Sequence, residues 1–99
     1  MLHLEWVSSD SVRRLRIQGE LAAETVERFE AAAGAPPSGG RLVVDCQGLS
    51  FIDSTGTNAL LLALLRWRRD GRSVELTNLA DEIYEMFEWL GVFEALDAS

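Results

Sequence analysis

Apolar and polar residues alternate along residues 2–7, with Leu2, Leu4 and Trp6 on one side and His3 and Glu5 on the other. A period of two predicts a half-buried strand. Ser8-Ser9-Asp10-Ser11 reads as a turn, after which Val12, Leu15 and Ile17 stand among Arg13, Arg14, Arg16 and Gln18. The two runs predict a hairpin of residues 2–8 and 12–18, its spacing slipping once as a bulge or a shifted start would make it. Gly19-Glu20 closes the second strand. The period then lengthens. Ala22, Val26, Phe29 and Ala33 fall at i, i+4, i+7 and i+11, one face of a helix expected over residues 21–33, with Glu20, Glu24, Glu27, Arg28 and Glu30 around it. Gly34-Ala35-Pro36-Pro37-Ser38-Gly39-Gly40 cannot continue that helix and predicts a loop, too short to separate a pair of domains.

Arg41 to Cys46 reads as the third strand, and the adjacent Val43 and Val44 predict a central strand covered on both faces. Leu49-Ser50-Phe51-Ile52, the polar stretch Asp53-Ser54-Thr55-Gly56-Thr57-Asn58 and the apolar run Ala59 to Leu65 follow. The whole predicts buried strand, exposed turn and buried helix, the helix spanning Ser54 to Arg69. Arg66, Arg68 and Arg69 suit its C-terminus and Gly71 stops it, while Trp67 is expected to pack at that end. Arg72 to Thr77 is the fourth strand, with Val74 and Leu76 inward and Asn78 as a turn residue or cap. Residues 80–90 predict a third helix whose Ile83, Met86, Phe87 and Leu90 form a core stripe, with Asp81, Glu82, Glu85 and Glu88 in water and Gly91 as the stop. Val92, Phe93 and Leu96 are expected to pack the tail onto the sheet. Tyr84 and Trp89 lie off the stripe and are candidates for a partner contact.

The order is therefore β-β-α-β-α-β-α. The 41–46 strand, its helix and the 72–77 strand make a βαβ unit, for which a right-handed parallel crossover is expected. The fold class is α/β: one domain over residues 1–99, a mixed β-sheet with helices packed mainly on one side.

Composition narrows the function. Hydrophobic residues form 47% of the chain, enough for a core. The run Ala59 to Leu65 is far too short to span a bilayer, and the N-terminus lacks a basic-then-apolar leader, so a soluble cytoplasmic protein is expected. Net charge is −7, all the basic residues are Arg, and the stretch from Glu75 onward carries only acids (Glu75, Asp81, Glu82, Glu85, Glu88, Glu94, Asp97). That balance argues against nucleic acid and for a basic protein surface as partner. Without Lys there is no Schiff-base chemistry. His3 and Cys46 are single, so no metal cluster is expected, and Cys46 reads as a core residue. With no acid–base pair and no phosphate loop, no catalytic residues, cofactor or enzymatic activity are expected.

The candidate chemistry lies in the 53–58 stretch. Asp53 or Ser54 is a good N-cap, but Ser54, Thr55, Thr57 and Asn58 together exceed what one cap requires. A helix N-terminus carries unpaired N–H groups and the positive end of the dipole, which favour anionic groups.

Phe51-Ile52-Asp53-Ser54-Thr55-Gly56, preceded by Val43-Val44-Asp45 and Gly48-Leu49-Ser50, resembles the signature of the STAS domain. Leu15-Arg16-Ile17-Gln18-Gly19-Glu20-Leu21 resembles the family's second strand and turn. Val74-Glu75-Leu76-Thr77-Asn78 and Phe87-Glu88-Trp89-Leu90-Gly91-Val92-Phe93 resemble its fourth strand and a later helix end. The resemblance runs from about residue 12 to 96 and implies a STAS-like, anti-sigma-factor-antagonist fold and a binding protein. In the antagonists the residue after Asp-Ser is phosphorylated by an anti-sigma factor that is itself a serine/threonine kinase. That residue corresponds to Thr55, with Ser54 beside it. The unphosphorylated form binds the kinase, and a phosphatase resets it. Asp53, Ser54, Thr55, Gly56, Thr57 and Asn58 are the partner-binding residues this implies. The antagonists carry an apolar residue after the glycine, where this chain has Thr57. A second branch of the family is a non-phosphorylated subunit bound to the ATPase of a phospholipid-transport ABC transporter, and there Ser54 takes the contact position. The Ala59-Leu60-Leu61-Leu62 run resembles that branch as well.

Overall fold

A computed structural model describes residues 1–98, so the last residue of the expected 1–99 domain, Ser99, lies outside the described residues. The elements are β1 (Leu2–Ser9), β2 (Val12–Leu21), α1 (Val26–Ala33), β3 (Arg41–Ile52), α2 (Ser54–Arg69), β4 (Val74–Thr77), α3 (Asp81–Leu90) and α4 (Val92–Ala98). The sheet order is β1-β2-β3-β4. β1 and β2 form the expected antiparallel hairpin, and β2–β3 and β3–β4 are parallel. The sheet is thus mixed, as the order of elements predicts. No helix of the described residues is long and apolar enough to cross a membrane.

One face of the sheet carries the core. Leu15, Ile17, Leu42, Val44 and Cys46 cluster with Phe29 of α1, Leu60, Leu64 and Trp67 of α2, and Ile83 and Phe87 of α3. Val43 is also buried but lies outside that cluster. Its cross-strand neighbours are Arg14 and Glu75, and the next row across the sheet reads Glu5, Arg16, Asp45, Thr77. The second face carries polar side chains at these positions. Its ion pairs, Arg16–Glu5 at 4.0 Å and Arg41–Glu75 at 3.8 Å, are exposed and contribute little stability.

The two tryptophans join the hairpin and α2 to α1. Trp6 Nε1–H donates to the Ala32 carbonyl and Trp67 Nε1–H to the Ala33 carbonyl, both at 3.0 Å, with the rings 6.0 Å apart. These carbonyls belong to the last turn of α1, where the Ala32 carbonyl also accepts the Ala35 N–H at 3.4 Å. Trp67 is therefore held by its polar edge as well as its bulk. The 34–40 loop is tied by arginines. Arg13 Nε–H donates to the Ser38 carbonyl, and Arg72 Nη2–H to the carbonyls of Pro37, Gly39 and Gly40.

The expected elements are corrected at several places: β2 runs on through Gly19 and Glu20 to Leu21, and β4 begins at Val74, not Arg72. α1 begins at Val26, not residue 21, because residues 22–25 form a turn. Thr25 Oγ1 holds that turn, accepting from Ala22 N–H at 3.0 Å and donating to the Glu20 carbonyl at 2.9 Å. β3 does not stop at Cys46. It continues to Ile52 through an irregularity in which Gly48 lies against Gln18, where a Cβ would stand 2.7 Å from Gln18 Cγ. Leu90 is 58% exposed, outside the core stripe. Gly91 turns the chain with a φ of 75°, and Val92, buried, enters the core in its place. Finally, the tail is a helix, α4, seated against α2 and α3. Its Phe93 ring lies 6.1 Å from Phe87 and 4.9 Å from Tyr84.

Trp67→Ala should cost about 3–5 kcal/mol, since it removes a buried ring and strands a carbonyl. Leu90→Ala should change stability by less than about 0.5 kcal/mol, as surface substitutions do. Urea denaturation of both variants checks the assignment of core and surface.

Candidate functional site

The start of α2 is built by Asp53. Its Oδ1 accepts from the Gly56 N–H at 2.7 Å, the helix N-cap bond, and its Oδ2 accepts from the Ala23 N–H at 3.0 Å. Its own N–H donates to the Leu21 carbonyl at 3.3 Å. One residue thus ties the helix start to the turn after β2. The N–H groups of Gly56 and then Ala23 hold its carboxyl below the ordinary aspartate range. Gly56 is needed for closeness, not for an unusual backbone angle. A Cβ there would stand 2.2 Å from the Leu21 carbonyl oxygen.

The six residues of the expected site fall into two groups. Ser54, Thr55 and Asn58 are exposed. The Ser54 and Thr55 hydroxyls have no hydrogen-bond partner among the described residues. Asp53 is half-buried and occupied by its two N–H partners. Gly56 and Thr57 are buried, so neither offers a side chain to a partner. Thr57 donates its hydroxyl to the Asp53 carbonyl at 2.8 Å, and its N–H donates to the same oxygen at 2.8 Å. The polar crowding of the stretch is therefore to that extent internal. Position 57 faces inward, which is where an apolar residue also fits.

Two exposed apolar residues extend the surface beyond the hydroxyl pair. Phe51, 51% exposed, lies at the end of β3, and Leu62, 55% exposed, lies one helical turn beyond Asn58. Ser54, Asn58 and Leu62 stand four residues apart and so share one ridge of α2. The apolar pattern of the sequence places Phe51 in a buried strand and Leu62 in a buried helix, and the structure corrects both. The available signal is that 51 precedes the inward Ile52 and that 62 falls between Leu60 and Leu64 on the opposite side of the helix.

Other polar groups stand apart from this site. Asp45 Oδ1 accepts from Asn78 Nδ2 and the Gln47 N–H, each at 3.0 Å. Burial works to raise the Asp45 pKa, but the hydrogen bonds from Asn78 and Gln47 and the charges of Arg14 and Arg16 leave it lowered. Asn78 has a φ of 61° and serves the turn after β4, as expected. Tyr84 and Trp89 are exposed, Trp89 by 88%. Burial pushes the Cys46 thiol up to about 12. No group of His, Cys, Asp and Glu among the described residues could hold a metal ion.

With the fold and this helix start defined, the chain can be set beside known proteins. A family model described as "Mlab, STAS domain" matches residues 6–96. The chain belongs to this STAS family. No curated protein matches it. A solved antisigma-factor antagonist STAS domain from Rhodobacter sphaeroides is 26% identical with a TM-score of 0.66, over 78% of this chain and 86% of that one. The murine Solute Carrier 26 family member A9 anion transporter, in its inward-facing state, is 26% identical with a TM-score of 0.74, over 89% of this chain but only 15% of the transporter. The Bacillus cell fate determinant SpoIIAA in its phosphorylated form shares the fold, with a TM-score of 0.68 at 22% identity over 95% of this chain and 86% of that one. The same fold therefore occurs in small antagonist chains and within a transporter.

Two outcomes follow for Asp53→Ala, which removes the cap: the melting temperature should fall by roughly 4–8 °C at neutral pH, the usual effect of a lost cap in a domain this small. Because the folded carboxyl titrates below its unfolded value of about 3.9, its contribution is complete above that pH and is lost as pH falls through the folded value. The gap between wild type and Asp53→Ala should accordingly hold constant from pH 7 to about 5 and narrow as pH falls below about 3.9. Thiol titration checks the buried cysteine. Cys46 should resist a disulfide reagent in the native protein at pH 8 and react fully in urea.

Proposed function

We propose that this chain is an anti-sigma factor antagonist that works by partner switching. It docks an anti-sigma factor serine/threonine kinase through the start of α2 and lets go when the kinase phosphorylates Thr55, with Ser54 as the neighbouring acceptor. A phosphatase restores the binding form. On this reading the chain is a single binding module and no enzyme, and it acts in the cytoplasm with protein partners only.

The observation that supports this most is the division of labour at residues 53–57. The bonds that fix the helix start use Asp53, Gly56 and Thr57, while the Ser54 and Thr55 hydroxyls are exposed and unengaged. A phosphate on Thr55 would add about −1.5 to −2 charges without displacing any bond that holds the fold. The positive end of the helix dipole tolerates it there. The change is confined to the surface that a partner meets, where Phe51 and Leu62 supply apolar anchors. A penalty of roughly 3 kcal/mol at that surface weakens a complex on the order of a hundredfold.

A second reading is a constitutive subunit docked on the ATPase of an ABC transporter. The exposed Leu62 within the Ala59–Leu62 run and the exposed Ser54 favour it. The fold's occurrence inside the murine anion transporter is in keeping with a transport setting.

Incubation with the cognate kinase and ATP, followed by mass spectrometry, should find one phosphate on Thr55 or Ser54. Thr55→Glu should weaken kinase binding about a hundredfold. A chain that acquires no phosphate, and whose Thr55→Glu variant binds the kinase as wild type does, is not a switch of this kind. Co-purification of an ABC ATPase, abolished by Ser54→Arg, would establish the second reading instead.

A further inference from the structure

The opposite end of α2 carries a second surface that the docking site does not use. Four of the chain's nine basic residues, Arg66, Arg68, Arg69 and Arg72, fall within seven positions of a chain whose net charge is −7. Three of them line one open hollow of about 760 Å³ with Leu65, Gly71, Ser73 and Val74. No carboxylate of the described residues lines it. A volume of this size is that of a small-molecule site.

Cations at a helix C-terminus complement the dipole, and that accounts for Arg66, Arg68 and Arg69 being in the last turn. It does not account for Arg72, which lies beyond the helix and forms another side of the same wall. Arg72 is pre-positioned: its Nη2 is bound to the carbonyls of Pro37, Gly39 and Gly40, and its Nε is buried with no partner. Arg68 and Arg69 have no ion pair and no side-chain hydrogen bond among the described residues. The nearby carboxylates are otherwise placed. Glu75 pairs with Arg41, Asp70 is exposed at the helix end, and Glu75 and Asp97 line the adjoining hollow with Arg68.

We infer that this hollow binds a phosphomonoester. Several guanidinium groups around one space match a ligand of more than one negative charge, and planar N–H forks suit phosphate oxygens. The Ser73 side chain adds a hydroxyl, and Leu65 and Val74 give an apolar wall for the body that carries the phosphate. Gly71, whose added Cβ would meet nothing within 4 Å, leaves the mouth open. The phosphate is borne either by a soluble molecule or by a lipid headgroup, and the chemistry at the arginines is the same for both.

The test titrates the full chain, labelled with ¹⁵N, with phenyl phosphate. The amides of Gly71, Ser73 and Val74 should shift and saturate, and Arg68→Gln and Arg69→Gln should each weaken binding by about tenfold. Arg28→Gln, on α1, should leave it unchanged. A parallel flotation with vesicles containing phosphatidic acid assigns the source: co-flotation lost in the same two variants indicates a lipid headgroup, and its absence beside a saturating titration indicates a soluble phosphomonoester. Shifts that do not saturate, or that persist undiminished in Arg68→Gln and Arg69→Gln, overturn the proposal. Both variants replace exposed side chains, and their native amide spectra verify that they fold.

Discussion

The Leu21 carbonyl is the point from which the functional surface is set. It accepts the Asp53 N–H at 3.3 Å and lies so close to Gly56 that no side chain fits between them. A hydrogen bond alone would fix a distance. The missing Cβ adds a steric limit, which fixes the approach of α2 to the end of β2. Asp53 then closes the arrangement from the other side, with one carboxylate oxygen on the helix and the other on the turn. A charged acceptor shared by two backbone N–H groups makes a strong joint, and the lowered carboxyl pKa is the electrostatic sign of it.

Once the first turn of α2 is held, the rest of the helix has only one way to lie. Ala59, Leu60, Leu64 and Trp67 enter the core, and the side that remains carries Ser54, Thr55, Asn58 and Leu62. Thr57 shows how completely the division is made. Its hydroxyl is buried, yet it costs little because the Asp53 carbonyl accepts it. The exposed hydroxyls are free because the structural tasks at this helix start are taken by other atoms. That is the physical condition for a surface to be chemically altered while the fold beneath it stays the same.

Periodicity makes the sheet and the long helix legible from the sequence. Leu2, Leu4 and Trp6 alternate within β1, and the apolar-to-polar change at Asp53 marks the true start of α2. What stays hidden depends on contacts distant in sequence. The 22–25 turn copies a helical spacing, because Thr25 supplies from its side chain the bonds a helix would supply from its backbone. The continuation of β3 depends on Gly48 meeting Gln18 on another strand. Leu90 keeps the core period, but the left-handed Gly91 sends Val92 inward instead. Val43 is buried as its pattern predicts, although it stands outside the core cluster with Arg14 and Glu75 as its cross-strand neighbours. At the site, the motif marks the helix start, but only the geometry separates the inward Gly56 and Thr57 from the outward Ser54, Thr55 and Asn58.

The two ends of α2 can act independently. The helix has 16 residues, about 24 Å of axis at 1.5 Å per residue. That exceeds the Debye length of about 8 Å at physiological ionic strength, so exposed charges at the two ends are largely screened from each other. A phosphate on the first turn would change little at Arg68 and Arg69 through the field alone. Linkage between the ends would need an element with two packed arrangements. The buried row of Ala59, Leu60, Leu64 and Trp67, locked to α1 through the Trp67 indole, supplies one arrangement. Physically, then, the two ends of α2 are separately placed, so the proposed docking at its N-terminal hydroxyls and the proposed anion binding at its C-terminal arginines can coexist on one molecule.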